Sequence, residues 1–377
     1  MNPTRRRMAL AAAIAAATVL VSATPRLLLA AGVLPDAAQP FVWSDVRQTY
    51  LDHLSGGRLP YRDAFFDYPP GIGYLAGALA LIAPDVVAYV ALWTVLVAAS
   101  AAVVGAELAR AAGLRRALAF WSLSPQLLLY SGANFDVLPT ALFVGAILLA
   151  RRGSHRAAMA TLAVGAVAKI FPAVAAPPLA LRVLRSAGPR AAVTALGVFV
   201  VVVAVLWSPS LGGVAPSTVS TLVQAQRTNF DSLWGVTLAA LNAGGVSGAA
   251  QIVGIASAAG MLLTYLMGSR RGGTDPARAG LLALLALLLW TRLYSPQYSL
   301  WIVPFFALVP LPWPAFAVLS LGDAIVFATV YPLTLTHPPL AGDTALYLYA
   351  GLVAGIALRH AALAATWIAS WRGTRAG

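Results

Sequence analysis

The stretch VVAYVALWTVLVAASAAVVGA, residues 86–106, decides the fold. It runs for 21 residues without a charge, about the length a helix needs to cross a hydrocarbon layer of about 30 Å at ~1.5 Å per residue. Outward from it, apolar runs recur from Met8 to Trp371. Mean hydropathy is +0.81 and only 10% of residues are charged, more apolar surface than a water-soluble core can absorb. In lipid each backbone group must find its partner within the chain, and a helix does that unaided. The expected fold is all-α, a polytopic transmembrane helical bundle of about twelve crossings.

The net charge of +13 reads as a nucleic-acid signal until the cations are located. Lys169 is the single lysine, and the arginines gather in short clusters between apolar stretches: Arg5–Arg7, Arg110 to Arg116, Arg151 to Arg156, Arg182 to Arg190, Arg270 to Arg278, and Arg372 with Arg375. That is the pattern of cytoplasmic loops under the positive-inside rule. The basicity is topological, and no nucleic-acid partner is expected. The chain is expected in the plasma membrane with its N-terminus in the cytoplasm. The acidic residues sort the other way: Asp36, Asp45, Asp52, Asp63, Asp67, Asp85, Asp136, Asp231 and Asp343 fall outside, Glu107 and Asp275 inside, Asp323 within a span. Carboxylates contribute little to orientation, so this bias points to function. With no cysteine, disulfides and thiolate sites are excluded, and the four histidines lack ligand spacing.

The first apolar segment, roughly Met8 to Leu28, is expected to be an uncleaved span. It delivers a long outer loop, 33–84, with short amphipathic runs (SDVRQTYLDHL and GIGYLAGALALI) expected to lie at the membrane surface. A second long outer loop is expected at 208–246. The whole of 1–377 reads as one integral-membrane domain, and Arg359 with the tail after it is expected at the inner interface.

Two cations stand apart from the clusters. Lys169 follows Arg156, and Arg292 follows Arg278, at nearly equal separations. Helical rise places both roughly 20 Å up a layer of about 30 Å. Each begins a proline-bearing break, AKIFP and TRLYSPQY, where backbone groups face a cavity. Snorkelling at the interface is the plain alternative. Cations at the lipid edge with carboxylates above suit a lipid-linked anion, since phosphate pairs with Lys and Arg.

The segment Ser44–Gly71, SDVRQTYLDHLSGGRLPYRDAFFDYPPG, resembles the first outer loop of the GT-C glycosyltransferases. It is most similar to the polyprenol-phosphomannose-dependent mannosyltransferases, glycosyltransferase family 87. The matching features are Asp45, Tyr50, Gly57, Pro60-Tyr61-Arg62-Asp63 and Asp67-Tyr68-Pro69-Pro70. AKIFP at 168–172 is similar to that family's K-x-x-P element, and SPQYSLW at 295–301 to its late S-P-Q-Y-x-x-W element. The resemblance implies a GT-C-like fold and transfer of a sugar, mannose by the family's habit, from a polyprenyl phosphate to a glycolipid or glycan on the outer face, with Asp45 as base. Related eukaryotic enzymes carry D-x-D at this place. Here the residues are Asp45-Val46-Arg47, which favours catalysis without a metal or other cofactor.

The chemistry can also be argued from the residue types. Inverting transfer needs one carboxylate to take the acceptor proton, and a leaving phosphate needs positive charge rather than an acid. Asp45 is the candidate base; Lys169, Arg227 and Arg292 are candidates for the donor phosphate. Arg62, Asp63, Asp67, Asn134, Asp136, Gln297 and Tyr298 are candidates for sugar or acceptor. Plainer roles stand beside these: Asp45 as a helix cap, Asp63 paired with a neighbouring arginine, Asn134 and Asp136 capping the SGANFD turn, Gln297 and Tyr298 serving backbone opened by Pro296. The rival function is a transporter or flippase of a polyprenyl-linked sugar.

Overall fold

The computed structural model describes residues 2–213, 216–271 and 275–373, so Arg375 and residues 214–215 of the second long loop lie outside the described residues. It is all helical, with one isolated bridge, Pro60 to Ala64, among those residues. In chain order the helices are α1 (Pro3–Ala30), α2 (Asp45–Thr49, continued as one π turn to Leu54), α3 (Pro70–Ile82), α4 (Val86–Ala112) and α5 (Leu114–Ala117). Then come α6 (Pro125–Tyr130), α7 (Val137–Arg151), α8 (His155–Ala168), α9 (Ala176–Trp207), α10 (Ser217–Gln226), α11 (Leu233–Ala243) and α12 (Ala249–Arg271). The last four are α13 (Pro276–Trp290), α14 (Ser299–Leu308), α15 (Trp313–Leu335) and α16 (Gly342–Arg372). Six apolar stretches are long enough to cross a membrane: α1, α4, 171–211, α12, α15 and α16. Shorter apolar helices, among them α7 and α13, fill in between them. The chain is a multi-pass membrane protein.

Helices adjacent in sequence pack as pairs: α7 on α8, α8 on α9, α12 on α13, α15 on α16, with α1 against α4. Small residues set the closest approaches. A Cβ on Gly105 would meet the Ala11 carbonyl at 2.8 Å, and one on Gly322 the α16 backbone at 2.9 Å. Close backbone approach at small residues is how membrane helices associate without a hydrophobic drive between them. Beyond Gly188 most of α9 is exposed. The helix is broken at Gly188, where φ is 85°.

Two of the basic clusters, Arg110 to Arg116 and Arg151 to Arg156, meet at one end. Arg116 donates to the carbonyls of Phe306, Ala307 and Val309, closing the C-terminus of α14. Arg151 bridges Asp275 at 2.8 Å and reaches the Leu308 carbonyl, and Arg152 and Arg110 share Glu107. Arginines here satisfy the last carbonyls of helices, which otherwise lack partners.

The expectation for the C-terminal segment needs correction. α16 runs unbroken through Arg359, which is fully buried: its guanidinium donates to the Asp231 carbonyl and sits 3.9 Å from the Tyr294 ring centre. Arg359 therefore ties the loop before α11 and the segment after α13 to α16. Asp323, which the sequence places within a span as a structural hydrogen-bonding group or cation partner, is also fully buried. It accepts from Gln126 at 3.0 Å and Ser299 at 2.7 Å, joining α6, α14 and α15.

Candidate active site

At the end opposite the arginine clusters, a turn carries the first loop to its cavity. Tyr61 adopts φ 66°, a left-handed conformation that costs a bulky residue about 1–3 kcal/mol unless its surroundings hold it. They do hold it. Its ring is 1% exposed, its hydroxyl donates to the Tyr68 carbonyl at 2.6 Å, and Gly73 of α3 lies so close that a Cβ there would meet that hydroxyl at 2.2 Å. Gly77 makes the same room for Pro60, and Gly71 for the backbone of Ala168. The motif PYRDAFFDYPPG thus bolts its turn to α3 and α8, presenting Asp67 and Tyr68 to the cavity.

That cavity has a volume of about 650 Å³. Its walls come from α2 (Asp45, Gln48, Asp52), the break after α8 (Lys169, Phe171), the loop after α10 (Arg227, Asn229), α12, and the segment after α13 (Arg292, Gln297, Tyr298). One part is polar. Another, formed by Val174, Ala258, Met261, Leu287, Trp290 and Leu293, is apolar. Trp290 fits because Gly260 leaves a notch: a Cβ there would meet the indole at 2.1 Å.

Asp45 does not cap α2. Ser44 does, through its hydroxyl and the Arg47 N–H, which leaves the Asp45 carboxylate for the cavity wall. Its Oδ1 accepts from Trp43 Nε1 at 2.6 Å; its Oδ2 accepts from Asn134 Nδ2 and from the Tyr68 hydroxyl at 3.2 Å. Burial pushes the Asp45 carboxyl above the usual carboxylate range, opposed in turn by the Trp43 N–H, the Lys169 charge and Asn134. Arg26 of α1 supports the arrangement from behind: its guanidinium donates to the carbonyls of Trp43, Ser22 and Leu129.

Lys169 ends α8 with its side chain turned inward, 11% exposed. Its Nζ lies 2.7 Å and 2.8 Å from the two oxygens of Asp136, which also accepts from Trp301 Nε1 at 2.7 Å. Tyr68, Tyr298 and Trp301 present their rings to the ammonium at 4.9–5.6 Å. Trp301 is clamped between Phe171 and Tyr298, with ring centres 4.0 Å and 3.9 Å away. Breaking the helix at AKIFP lets Lys169 leave the α8 axis and enter this box.

Of the residues proposed from sequence, Asp45, Asp67, Lys169, Arg227, Arg292, Gln297 and Tyr298 line the one cavity. Asp67 accepts from Gln224, which in turn accepts from Arg227 at 3.3 Å. Asn134 and Asp136 are buried behind it, contacting Asp45 and Lys169 rather than space. Arg62 and Asp63 stand apart from the cavity. They pair with each other at 2.9 Å on the exposed turn, where Asp63 also accepts from the Leu59 N–H. The Arg62 hydrogen bond first, then that N–H, hold the Asp63 carboxyl below its ordinary value. The candidates drawn from sequence omit Trp43, Arg26 and Trp301, although Trp43 lies two residues from Asp45 and Trp301 closes the SPQYSLW element; Arg26 carries no such signal.

Among the described residues, no three His, Cys, Asp or Glu side chains converge. Comparison with protein-family models and with curated proteins gives no match.

Proposed function

We propose that the protein is a GT-C-like glycosyltransferase that moves a sugar, mannose on the motif resemblance, from a polyprenyl phosphate to a glycolipid or glycan acceptor. The observation that carries this reading is one cavity holding a poised carboxylate, Asp45, together with Arg227, Arg292 and an apolar wall. The acceptor hydroxyl oxygen attacks the anomeric carbon while Asp45 takes its proton. The bond from that carbon to the phosphate oxygen breaks, and the polyprenyl phosphate leaves with the electron pair. The configuration inverts, because nucleophile and leaving group occupy opposite faces of the sugar. Arg227 and Arg292 are suited to stabilise the charge that develops on the leaving phosphate. The apolar wall of α12 and α13 suits the first isoprene units. Trp43, Asn134 and Tyr68 aim Asp45, and no step requires a metal.

We read twelve passes into the fold: α1, α4, α5 through α6, α7, α8, the two halves of α9 on either side of Gly188, α12, α13, α14, α15 and α16. This count returns every basic cluster to one side, which the positive-inside rule makes the cytoplasm. The cavity then opens at the outer face of the plasma membrane. Purified protein incubated with radiolabelled polyprenyl phosphomannose and an alkyl mannoside tests the proposal. Label in the mannoside supports it. Translocation of the donor across a vesicle wall without transfer identifies a flippase instead.

A further inference from the structure

Lys169 faces the cavity that the transferase reading uses, yet its charge is already engaged. Both oxygens of Asp136 hold the ammonium, three rings enclose it, and little of the side chain reaches open space. Asp45, Asp136 and Lys169 together carry one net negative charge. A donor phosphate placed among them meets repulsion, strengthened by the low local dielectric. Arg227 and Arg292 stand on the other wall, contributed by the loop after α10 and the segment after α13. The Asn229 N–H donates to the Arg292 carbonyl at 3.0 Å, so the two segments form one unit.

We infer that Lys169 is a positioning residue that acts through Asp45, keeping the base ionised in its buried setting, and that Arg227 and Arg292 take the donor phosphate. The inference rests on the transferase reading and refines it. Several other groups face Asp45: the Trp43 N–H from its own segment, Tyr68 before α3, Asn134 and Asp136 before α7, Arg26 from α1, Tyr298 from the segment before α14 and Tyr331 from α15. Of these, Arg26 is the other cation. It spends its hydrogen bonds on three carbonyls, whereas Lys169 spends its own on a carboxylate that Asp45 also senses.

Tyr68 joins the pair to the base, its hydroxyl donating to Asp45 Oδ2 at 3.2 Å and its ring lying 5.6 Å from the Lys169 ammonium, so the two members of the pair bias Asp45 in opposite senses. Steady-state transfer from polyprenyl phosphomannose to an alkyl mannoside, followed against pH in nanodiscs, reads this directly. In Lys169→Met the acidic limb of kcat/KM is expected to move to higher pH by about one unit. In Asp136→Asn it is expected to move to lower pH, and Lys169→Arg, the folding control, keeps it near the wild-type position. Polyprenyl phosphate binding, read by tryptophan fluorescence, gives a second measurement independent of turnover. Its Kd is expected to stay within about threefold in Lys169→Met and to rise about tenfold in Arg292→Gln, the loss of a charge-assisted contact. A Kd that rises tenfold in Lys169→Met, with limbs unmoved in both pair variants, overturns the inference and makes Lys169 a phosphate ligand. Wild-type protein that transfers at no pH sinks the transferase reading itself.

Discussion

Two ion pairs on the cavity side of the molecule contain the same chemistry in opposite settings. Arg62–Asp63 sits on the exposed turn of the first loop, with 70% and 32% of the side chains open to solvent. Lys169–Asp136 sits beneath the cavity, with 11% and 0% exposed. Water screens the first, which serves mainly to close a turn. Protein surrounds the second, so each charge depends on its partner, and the field of the pair reaches the candidate base. The lesson is that polar density in a sequence does not locate chemistry. Burial decides which charges matter.

This contrast can be broken by experiment, beginning with the candidate base beside the deep pair. Asp45→Asn is expected to lower kcat by about a thousandfold, within the usual range for a general base, while donor KM changes little. For the wild type, burial raises the Asp45 carboxyl, and only its ionised form accepts a proton. Activity should therefore fall as pH drops through a midpoint above the ordinary aspartate value of about 3.9. A midpoint at or below that value breaks the link between burial and base.

Next in size is the deep pair itself. Asp136→Ala leaves the Lys169 ammonium buried without its counter-ion and is expected to destabilise the protein by about 3–5 kcal/mol, read as a lower thermal midpoint in detergent. Gly260→Ala should follow. The added methyl cannot share space with the Trp290 ring, so the indole is pushed toward the cavity, and donor KM should rise about tenfold, equivalent to about 1.4 kcal/mol. Arg62→Ala is expected to change stability by less than about 1 kcal/mol and to leave KM and kcat unchanged. A large effect there would reverse the ranking of the two pairs.

Much of the fold was legible because lipid imposes a length and a polarity on each span. VVAYVALWTVLVAASAAVVGA reads directly as α4, and the arginine clusters mark the ends that meet around Glu107, Asp275 and the α14 carbonyls. The breaks at AKIFP and TRLYSPQY were legible for a local reason, since proline forbids the regular helix there. What stayed hidden depends on contacts between distant positions. Nothing near Trp301 announces that its indole binds Asp136, and nothing near Arg26 announces that it holds Trp43. Arg359 misled because a cation late in an apolar run looks like an end. Here the Asp231 carbonyl and the Tyr294 ring accept it in mid-helix. The PYRD motif misled in the other direction: its arginine and aspartate close a turn, while its tyrosine, held in a left-handed backbone, anchors the loop.

The sparse packing of α9 has a consequence for how the protein must be handled. Beyond Gly188 only Ala192 and Ala195 of this helix are buried, so its apolar surface is left for lipid to cover. The bilayer is thus part of the scaffold. Stripping lipid away would loosen α9 before it touched the aromatic stack around Lys169.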